Sequence, residues 1–234
     1  MMDNVEMIKI YMYEQSYRID SLKKYLPLGK EQRIFSGEIL KNEKDEDFLF
    51  YIKSGRFKLS VPHFSGEWMD FCECCEGSTV QLNDFLMNAT SWDPARAIAA
   101  KNSVVVSFSR QQLFEIIRND QKVFDEYLNL SSTYSTMLKQ RLLITSEPNA
   151  SQRLLVWLEK LCSVLSPDEE GVYHIPCQLT QQQIANYLFI HVTTCNKLLM
   201  ALARVQILRR EKGFLHIYDR DLLKKYLENN WILS

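Results

Sequence analysis

Hydrophobic residues alternate with turn signals through the first half of the chain. From about residue 33 to residue 108, short apolar runs are separated by Ser-Gly and Glu-Gly pairs. The runs are IFSGEIL, FLFYIKSGRFKLSV, PHFSGEW, MDFCECCEGSTV and AIAAKNSVVVSFS. Short strands at near-regular spacing are typical of an antiparallel sandwich or barrel. This part of the chain is therefore predicted to be an antiparallel β domain.

A long helical pattern follows the strands. Residues 110–145 contain neither Gly nor Pro, and small or apolar residues recur there at intervals of three or four. These residues are Phe124, Leu128, Ser131, Ser135, Leu138, Leu142 and Thr145, flanked by Tyr127, Tyr134 and Arg141. Such a narrow stripe favours pairing with a second copy of the helix. A helix packed on its own barrel is the alternative. Pro148 disfavours a helical residue before it, so we place a domain boundary there.

The segment after a further helix (QRLLVWLEKLCSVL) and a loop (SPDEEGVYHIP) begins with a helix start signal. It reads CQLTQQQIANYLFIHVTTCNKLLMALARVQILRREKGFLHIYD, residues 177–219. Thr180 and Gln183 have the spacing of a capping box, in which each side chain binds the backbone N–H of the other residue. The predicted helix buries Ile184, Ala185 and Leu188.

A second helix is predicted to begin near His191, after a short break at 189–190. Its buried stripe follows the spacing i, i+3, i+4, i+7 and consists of Cys195, Leu198, Leu199 and Leu202. The opposite face carries Val192, Thr193, Asn196, Lys197 and Met200. Two helices joined by a short turn form a helix-turn-helix, whose second helix enters the major groove of DNA. We expect this recognition helix at about 191–203.

The last part of the segment predicts a β-hairpin wing. ILRREKGFLHIYD is a strand, a tight basic turn and a second strand. Arg209, Arg210 and Lys212 lie where a wing meets phosphates, which supplies affinity without sequence information. A plain helical hairpin with a surface β-hairpin is the alternative. The predicted DNA-binding residues are Thr180, Gln181, His191, Val192, Thr193, Thr194, Asn196, Lys197, Arg209, Arg210 and Lys212.

Composition adds a general class and a local charge. The chain has 234 residues, is 46% apolar and 24% charged, and has a net charge of −1, as is ordinary for a soluble globular protein. Residues 177–212 contain five Lys or Arg against Glu211 alone, which is compatible with a polyanion partner. No apolar run is long enough to span a bilayer, and the start lacks the pattern of a signal peptide. We expect a cytoplasmic protein with no membrane partner.

The stretch LTQQQIANYLFIHVTTCNKLLMALARVQIL resembles the C-terminal domain of the cyclic-AMP receptor protein/FNR (Crp/Fnr) family of bacterial transcription regulators. The resemblance extends over roughly residues 30–225, and FLFYIKSGRFKLS follows the family pattern of strand, Gly, strand. It implies an α+β fold with an antiparallel β-roll (a double-stranded β-helix or jelly roll, cyclic-nucleotide-binding-like) as the sensor over 1–118. A dimerisation helix over 119–147 and a winged helix-turn-helix over 148–234 follow.

The resemblance also implies how such a protein acts. Family members are homodimers that bind two-fold symmetric double-stranded DNA under the control of a signal sensed in the β-roll, and RNA polymerase is a further partner that it leaves open. Val192, Thr193, Asn196 and Lys197 fall where the family contacts DNA. An FNR-like member would carry Glu, Ser and Arg at 193, 196 and 197, so we expect a different target sequence. Phe189 stands where the family usually has Gly, and a left-handed conformation there costs about 1–2 kcal/mol.

The signal is expected not to be cyclic AMP, and no cofactor is predicted. Family members that bind it use a Glu and then an Arg-Ser or Arg-Thr pair, but here those positions fall near Leu82 and near Pro94-Ala95. Arg96 is the only cation close to them in the sequence, so the charge-assisted grip on a cyclic phosphate is missing. A candidate effector pocket consists of Phe71, Leu82, Trp92, Arg96 and Tyr134. Aromatic residues of this kind are also common in cores.

Three of the six cysteines lie together in FCECCEG, residues 71–77. On a strand, Cys72 and Cys74 share one face and Cys75 points to the other, so the three cannot converge on one tetrahedral metal. We favour buried cysteines that act as small hydrophobes. A thiol redox sensor and a metal site are the alternatives.

The histidines bear on whether the protein is an enzyme. His63, His174, His191 and His216 are scattered in the sequence, which argues against haem and against a jelly-roll metalloenzyme with closely spaced ligands. We therefore expect a DNA-binding regulator and not an enzyme. The alternative function is a β-barrel enzyme or small-molecule-binding protein whose C-terminal helices serve only as scaffold.

Overall fold

A computed structural model of the chain describes residues 8, 14–15, 18–41, 48–62, 66, 68–81, 96–177 and 179–229. The chain forms two compact units that divide between Ser135 and Thr136. That division lies inside the predicted dimerisation helix, and the boundaries predicted at 118 and 147 stay a prediction. Among the described residues, no helix is both long and apolar enough to cross a membrane.

The N-terminal unit consists of strands followed by helices. Its strands are β1 (Glu14–Gln15), β2 (Lys30–Ile34), β3 (Ile39–Leu40), β4 (Phe48–Ser54), β5 (Arg56–Pro62), β6 (Trp68–Cys75), β7 (Thr79–Gln81), β8 (Arg96–Ala99) and β9 (Ser103–Ser109). A 3₁₀ helix spans Asp20–Leu28, and the helices α1 (Arg110–Asn119) and α2 (Gln121–Thr145) follow β9.

The strands form two sheets, as the alternating pattern predicts. One sheet has the order β1-β6-β5-β8-β3 and the other the order β2-β9-β4-β7. Strand pairs are antiparallel apart from β1 with β6. The predicted antiparallel β-roll is therefore confirmed.

Strand β4 shows how the helices cover the roll. Its residues alternate between two buried faces because successive side chains of a strand point to opposite sides. Leu49 and Tyr51 join a cluster on the helix side, while Phe50 and Ile52 point the other way, and all four are almost fully buried. The helix-side cluster also contains Ile19, Leu22, Val106, Phe108, Leu113, Ile116, Val123, Tyr127 and Leu130.

The helical stretch after the strands is interrupted, whereas the sequence pattern predicts a single helix over 110–145. The break is at Asp120, which has an extended backbone with φ −138° and ψ 97°. Its Oδ1 accepts from the backbone N–H of Lys122 at 3.1 Å and of Val123 at 3.4 Å. Asp120 thereby starts α2 as a new helix, because an acidic side chain satisfies the free N–H groups of a first turn.

The predicted apolar stripe of α2 lies on the outside of the single chain. Phe124, Leu128, Leu138 and Leu142 are 36%, 48%, 47% and 69% exposed. The other side of the helix is buried through Val123, Tyr127, Leu130, Met137 and Ile144. The stripe is thus not the surface by which α2 packs on its own chain.

The C-terminal unit is a winged helix-turn-helix. Its elements are α3 (Ala150–Ser163), β10 (Tyr173–Pro176), α4 (Gln181–Leu188), α5 (Val192–Arg204), β11 (Leu208–Glu211), β12 (Phe214–Ile217) and α6 (Arg220–Glu228). The predicted helices and hairpin are confirmed. The prediction of a loop over SPDEEGVYHIP is wrong in part. The end of this segment forms β10, which pairs with β12 in the sheet β10-β12-β11.

Two glycines allow a test of the turn between β4 and β5. A Cβ on Gly55, whose φ is +113°, would lie 2.0 Å from the Ser103 Oγ and 2.7 Å from the Ser103 Cα. Gly37 has φ +86° with no atom within 4 Å of a Cβ, so Gly37→Ala has only backbone strain, about 1–3 kcal/mol. We expect Gly55→Ala to lower the free energy of unfolding by about 2 kcal/mol more than Gly37→Ala, as measured by urea denaturation. Equal losses would contradict this account of the turn.

Candidate nucleic-acid interface

The first helix of the motif, α4, begins with the predicted capping box. The Thr180 Oγ1 accepts from the backbone N–H of Gln183 at 3.2 Å, and the Gln183 Oε1 accepts from the backbone N–H of Thr180 at 2.8 Å. Gln181 is exposed in the first turn. The predicted burial of Ile184, Ala185 and Leu188 is confirmed, and Tyr187 is buried with them. The helix therefore has a defined start and one buried face.

The turn between α4 and α5 is left-handed at Phe189, with φ 51° and ψ 49°. The backbone N–H of Phe189 donates to Asn186 O at 3.3 Å, and that of Ile190 donates to Ala185 O at 3.0 Å. This pair of bonds is a Schellman motif, in which the left-handed position is usually Gly. Because Phe has a Cβ, the conformation costs about 1–2 kcal/mol here.

Two arginines contact this turn, and sequence reasoning missed both as functional residues. The Arg141 Nη2 donates to Asn186 O at 3.0 Å, and the Arg153 Nη1 donates to Phe189 O at 2.9 Å. Arg141 is 45 residues and Arg153 is 36 residues away along the chain from these acceptors. The sequence offered only one signal, which is that Arg141 stands beside the apolar stripe of a helix.

The recognition helix α5 is capped by a histidine. The His191 Nδ1 accepts from the backbone N–H of Thr193 at 3.3 Å and lies 2.9 Å from the Thr193 Oγ1. An acceptor carries no proton, so this cap uses the imidazole tautomer protonated at Nε2. The predicted stripe of Cys195, Leu198, Leu199 and Leu202 is buried, which confirms the face by which α5 packs.

The opposite face of α5 is accessible to different degrees. Thr193, Lys197 and Met200 are exposed, whereas Val192, Thr194 and Asn196 are half-buried. The Asn196 Oδ1 is buried and has no hydrogen-bond partner among the described residues. Lys197 is therefore accessible to base edges, and Asn196 offers only the other end of its amide. The exposed Thr193 hydroxyl is shared with the His191 cap.

The wing hairpin closes on two left-handed residues, Lys212 with φ 47° and Gly213 with φ 83°. Positive φ at both central residues of a two-residue loop is a type I′ turn, which suits the twist of the flanking strands. The three predicted wing cations are not equivalent. Lys212 is exposed at the tip, the Arg209 Nε lies 2.6 Å from the Glu211 Oε1, and the Arg210 Nη2 donates to Leu179 O. Lys212 is the wing cation best placed for a phosphate.

Two histidines that are distant in the sequence meet on the wing sheet, which their scatter along the chain did not reveal. The Nδ1 atoms of His174 and His216 lie 2.8 Å apart, because β10 and β12 place these residues opposite each other. The His174 Nε2 lies 2.6 Å from the Asp168 Oδ2. A carboxylate only accepts, so His174 donates this bond. His63 lies outside the described residues.

The candidate effector pocket is described only in part. Leu82 and Trp92 lie outside the described residues, as does the side chain of Phe71. The Arg96 guanidinium lies over the Trp68 ring, with its carbon 4.1 Å from the ring centre. The Tyr134 hydroxyl lies beside the Cys72 and Cys74 thiols, and the pocket itself stays a prediction.

Cys72 and Cys74 are both fully buried, whereas Cys75 is half-buried. The Sγ atoms of Cys72 and Cys74 lie 4.0 and 3.6 Å from the Tyr134 hydroxyl oxygen. The pKa of the Cys74 thiol is raised well above its ordinary value, first by the neighbouring Cys72 thiol and then by burial. Burial is also the main reason why the pKa of the Tyr134 hydroxyl is raised. A thiol with a raised pKa is unreactive, which supports the interpretation of Cys74 as a small hydrophobe, and Cys72 is equally buried.

Comparisons with known proteins match both units. Residues 31–120 match the cyclic nucleotide-binding domain family, and residues 152–226 match the Crp-like helix-turn-helix domain family. No curated protein sequence gives a significant match.

Solved structures share the fold over most of the chain. CprK complexed with OCPA is 19% identical, with a TM-score of 0.77 over 92% of this chain and 97% of that one. A CooA variant from Carboxydothermus hydrogenoformans is 15% identical, with a TM-score of 0.73 over 92% and 99%. FixK2 from Bradyrhizobium japonicum is 16% identical, with a TM-score of 0.57 over 84% and 96%.

The Asp168–His174 contact predicts a pH dependence on the acid side. The pKa of the Asp168 carboxyl is lowered, first by the hydrogen bond from His174 and then by the backbone N–H of Val172. Its contribution to stability is therefore complete above the unfolded pKa of about 3.9 and is lost as the pH falls through the lower folded pKa. We expect carboxyl NMR titration to show a raised Asp168 pKa in His174→Phe, because a phenyl ring keeps the planar shape but cannot donate this hydrogen bond. An unchanged Asp168 pKa in that variant would contradict the assigned cause.

Proposed function

Because the chain belongs to the Crp/Fnr family of transcription regulators, we propose that it binds a two-fold symmetric DNA site sequence-specifically as a homodimer. The observation that carries this proposal is the outer face of α5. A capped helix presents Thr193 and Lys197 to solvent beside a wing with Lys212 at its tip. This is the arrangement by which a winged helix-turn-helix reads the major groove and contacts the backbone.

Base reading and phosphate binding are assigned to different residues. Thr193 and Lys197 lie in the first two turns of α5, where hydroxyl and ammonium groups reach base edges. Lys212 contacts a phosphate, since an exposed cation at a wing tip supplies affinity without sequence information. Thr180 and Gln181 lie at the N-terminus of α4, where the helix dipole attracts a DNA phosphate.

The homodimer is proposed to form through the exposed stripe of α2. Phe124, Leu128, Leu138 and Leu142 are apolar and accessible, and two of the positions between them are the small residues Ser131 and Ser135. Two such stripes bury each other in a parallel pair, with the serines allowing close approach. A dimer so formed relates its two recognition helices by a two-fold axis, which requires a symmetric DNA site.

The β-roll is proposed to sense a signal other than cyclic AMP. The sequence lacks the acidic and Arg-Ser positions that grip a cyclic nucleotide. Isothermal titration with cyclic AMP is expected to show no binding. Saturable binding at micromolar cyclic AMP would overturn this part of the proposal.

DNA binding is tested by fluorescence anisotropy on a duplex enriched from random sequences by the wild-type protein. We expect Lys212→Ala to weaken binding to all duplexes alike and to reduce the slope of log K against log [salt] by about 0.9. Thr193→Ala is expected to weaken only the enriched duplex, by about 5- to 150-fold, because a base contact contributes about 1–3 kcal/mol. Lys225→Ala, an exposed cation on α6, serves as the control. Binding that is independent of both salt and sequence would rule out the proposed function.

Dimerisation is tested by sedimentation of a doubly charged variant. We expect Leu138→Lys with Leu142→Lys to weaken self-association by at least about 100-fold, because each buried leucine contributes about 1.5–3 kcal/mol. Both residues are exposed in the single chain, so the fold is expected to survive. Asn129→Lys is the matched control, since Asn129 is exposed on α2 away from the stripe. A variant that stays dimeric would exclude this interface.

A further inference from the structure

The turn at Phe189 carries carbonyl groups that accept from side chains elsewhere in the C-terminal unit. Asn186 O accepts from the Arg141 Nη2 at 3.0 Å in addition to the Schellman bond from Phe189. The Arg153 Nη1 donates to both Leu188 O at 3.3 Å and Phe189 O at 2.9 Å. Carbonyls of a last helical turn lack partners within their own helix, so these two guanidinium groups replace solvent as donors.

The Arg141 guanidinium also lies over two aromatic rings near the turn. Its carbon atom lies 4.3 Å from the centre of the Phe189 ring and 5.5 Å from that of the Tyr187 ring. The arginine is only 6% exposed, while the Phe189 ring remains 38% exposed and shields it from solvent. A cation over an aromatic face is attracted to the ring, and the attraction grows when the cation is desolvated. The side chain that makes the left-handed turn costly thus also holds the arginine.

Arg153 joins a second segment to the same turn. Its Nε donates to Glu147 O at 2.6 Å, in the connection between α2 and α3. One side chain therefore bridges the α2–α3 connection and the turn at the end of α4, and Arg141 reaches the same turn from within α2. The backbone at 189–191 sets the direction in which α5 leaves α4, since α5 begins at Val192.

We propose that Arg141 and Arg153 are positioning residues for DNA specificity, which hold the left-handed turn at Phe189 and so fix where the recognition helix points. The proposal rests on the proposed function, because it concerns the helix assigned to base reading. Neither arginine is assigned a DNA contact. Loss of either lets the turn relax toward a conformation that suits a Phe, which moves the reading face of α5 while its charges remain.

The test compares selective and non-selective binding in two variants and their combination. Arg141→Met keeps an unbranched apolar stem but removes the guanidinium, and we expect it to weaken binding to the enriched duplex by about 10- to 100-fold. Affinity for poly(dI-dC) and the salt slope are expected to stay within twofold of wild type, because the DNA-facing charges are unchanged. Adding Phe189→Gly removes the need for support of the left-handed turn, so the double variant is expected to regain at least tenfold. Lys225→Met is the control for loss of one positive charge.

Several outcomes overturn the positioning role. These are an Arg141→Met variant that binds the enriched duplex like wild type, one that loses selective and non-selective binding equally, and a double variant that regains nothing. If the wild-type protein itself binds without selectivity, the proposed function fails. The support of the Phe189 turn by Arg141 is then tested without DNA. A double-mutant cycle of Arg141→Met and Phe189→Gly in urea unfolding is then expected to show at least fivefold coupling. Additive effects in that cycle would refute the support of the Phe189 turn by Arg141, whatever the function of the protein.

Discussion

The left-handed turn at Phe189 is the constraint on which the proposed DNA-facing surface depends. Both helices beside it start from their own local caps, Thr180 for α4 and His191 for α5. Their relative direction, however, is decided by a residue in a conformation that side chains with a Cβ avoid. A strained residue persists only where its surroundings over-determine it. Here the surroundings are two Schellman bonds, the stacked guanidinium of Arg141 and the two carbonyl contacts of Arg153.

In the C-terminal unit, the residues that hold the elements together differ from the residues proposed to contact DNA. The buried stripe of α5 fixes the helix on its own domain, and β10 extends the wing into a three-stranded sheet. Arg209 forms an ion pair with Glu211, and Arg210 donates a hydrogen bond to Leu179 O. Lys212 lies at the tip of the wing. The outward-facing polar residues of α5, such as Thr193 and Lys197, are thus positioned by a helix whose opposite face is packed. Such support is what selective reading of base edges requires.

Local patterns made much of this fold predictable. The capping box, the stripe from Cys195 to Leu202 and the basic hairpin each follow from spacing within about ten residues, and the structure confirms them. What the pattern could not reveal depends on contacts between distant segments. His174 meets His216 only through the pairing of β10 with β12. Arg141 of α2 contacts Asn186 of α4 only because the fold brings these two helices together. The break at Asp120 was missed because a capping aspartate looks like any polar residue on a helix surface.

The proposed reading of DNA from the major groove by α5 of two identical chains can be measured by hydroxyl-radical and methylation-interference footprinting on the enriched duplex. The predicted result is a two-fold symmetric pattern with guanine N7 interference in two half-sites, centred about one helical turn or a multiple of it apart. A single unsymmetrical footprint, or protection confined to the minor groove, would rule out this mode of binding.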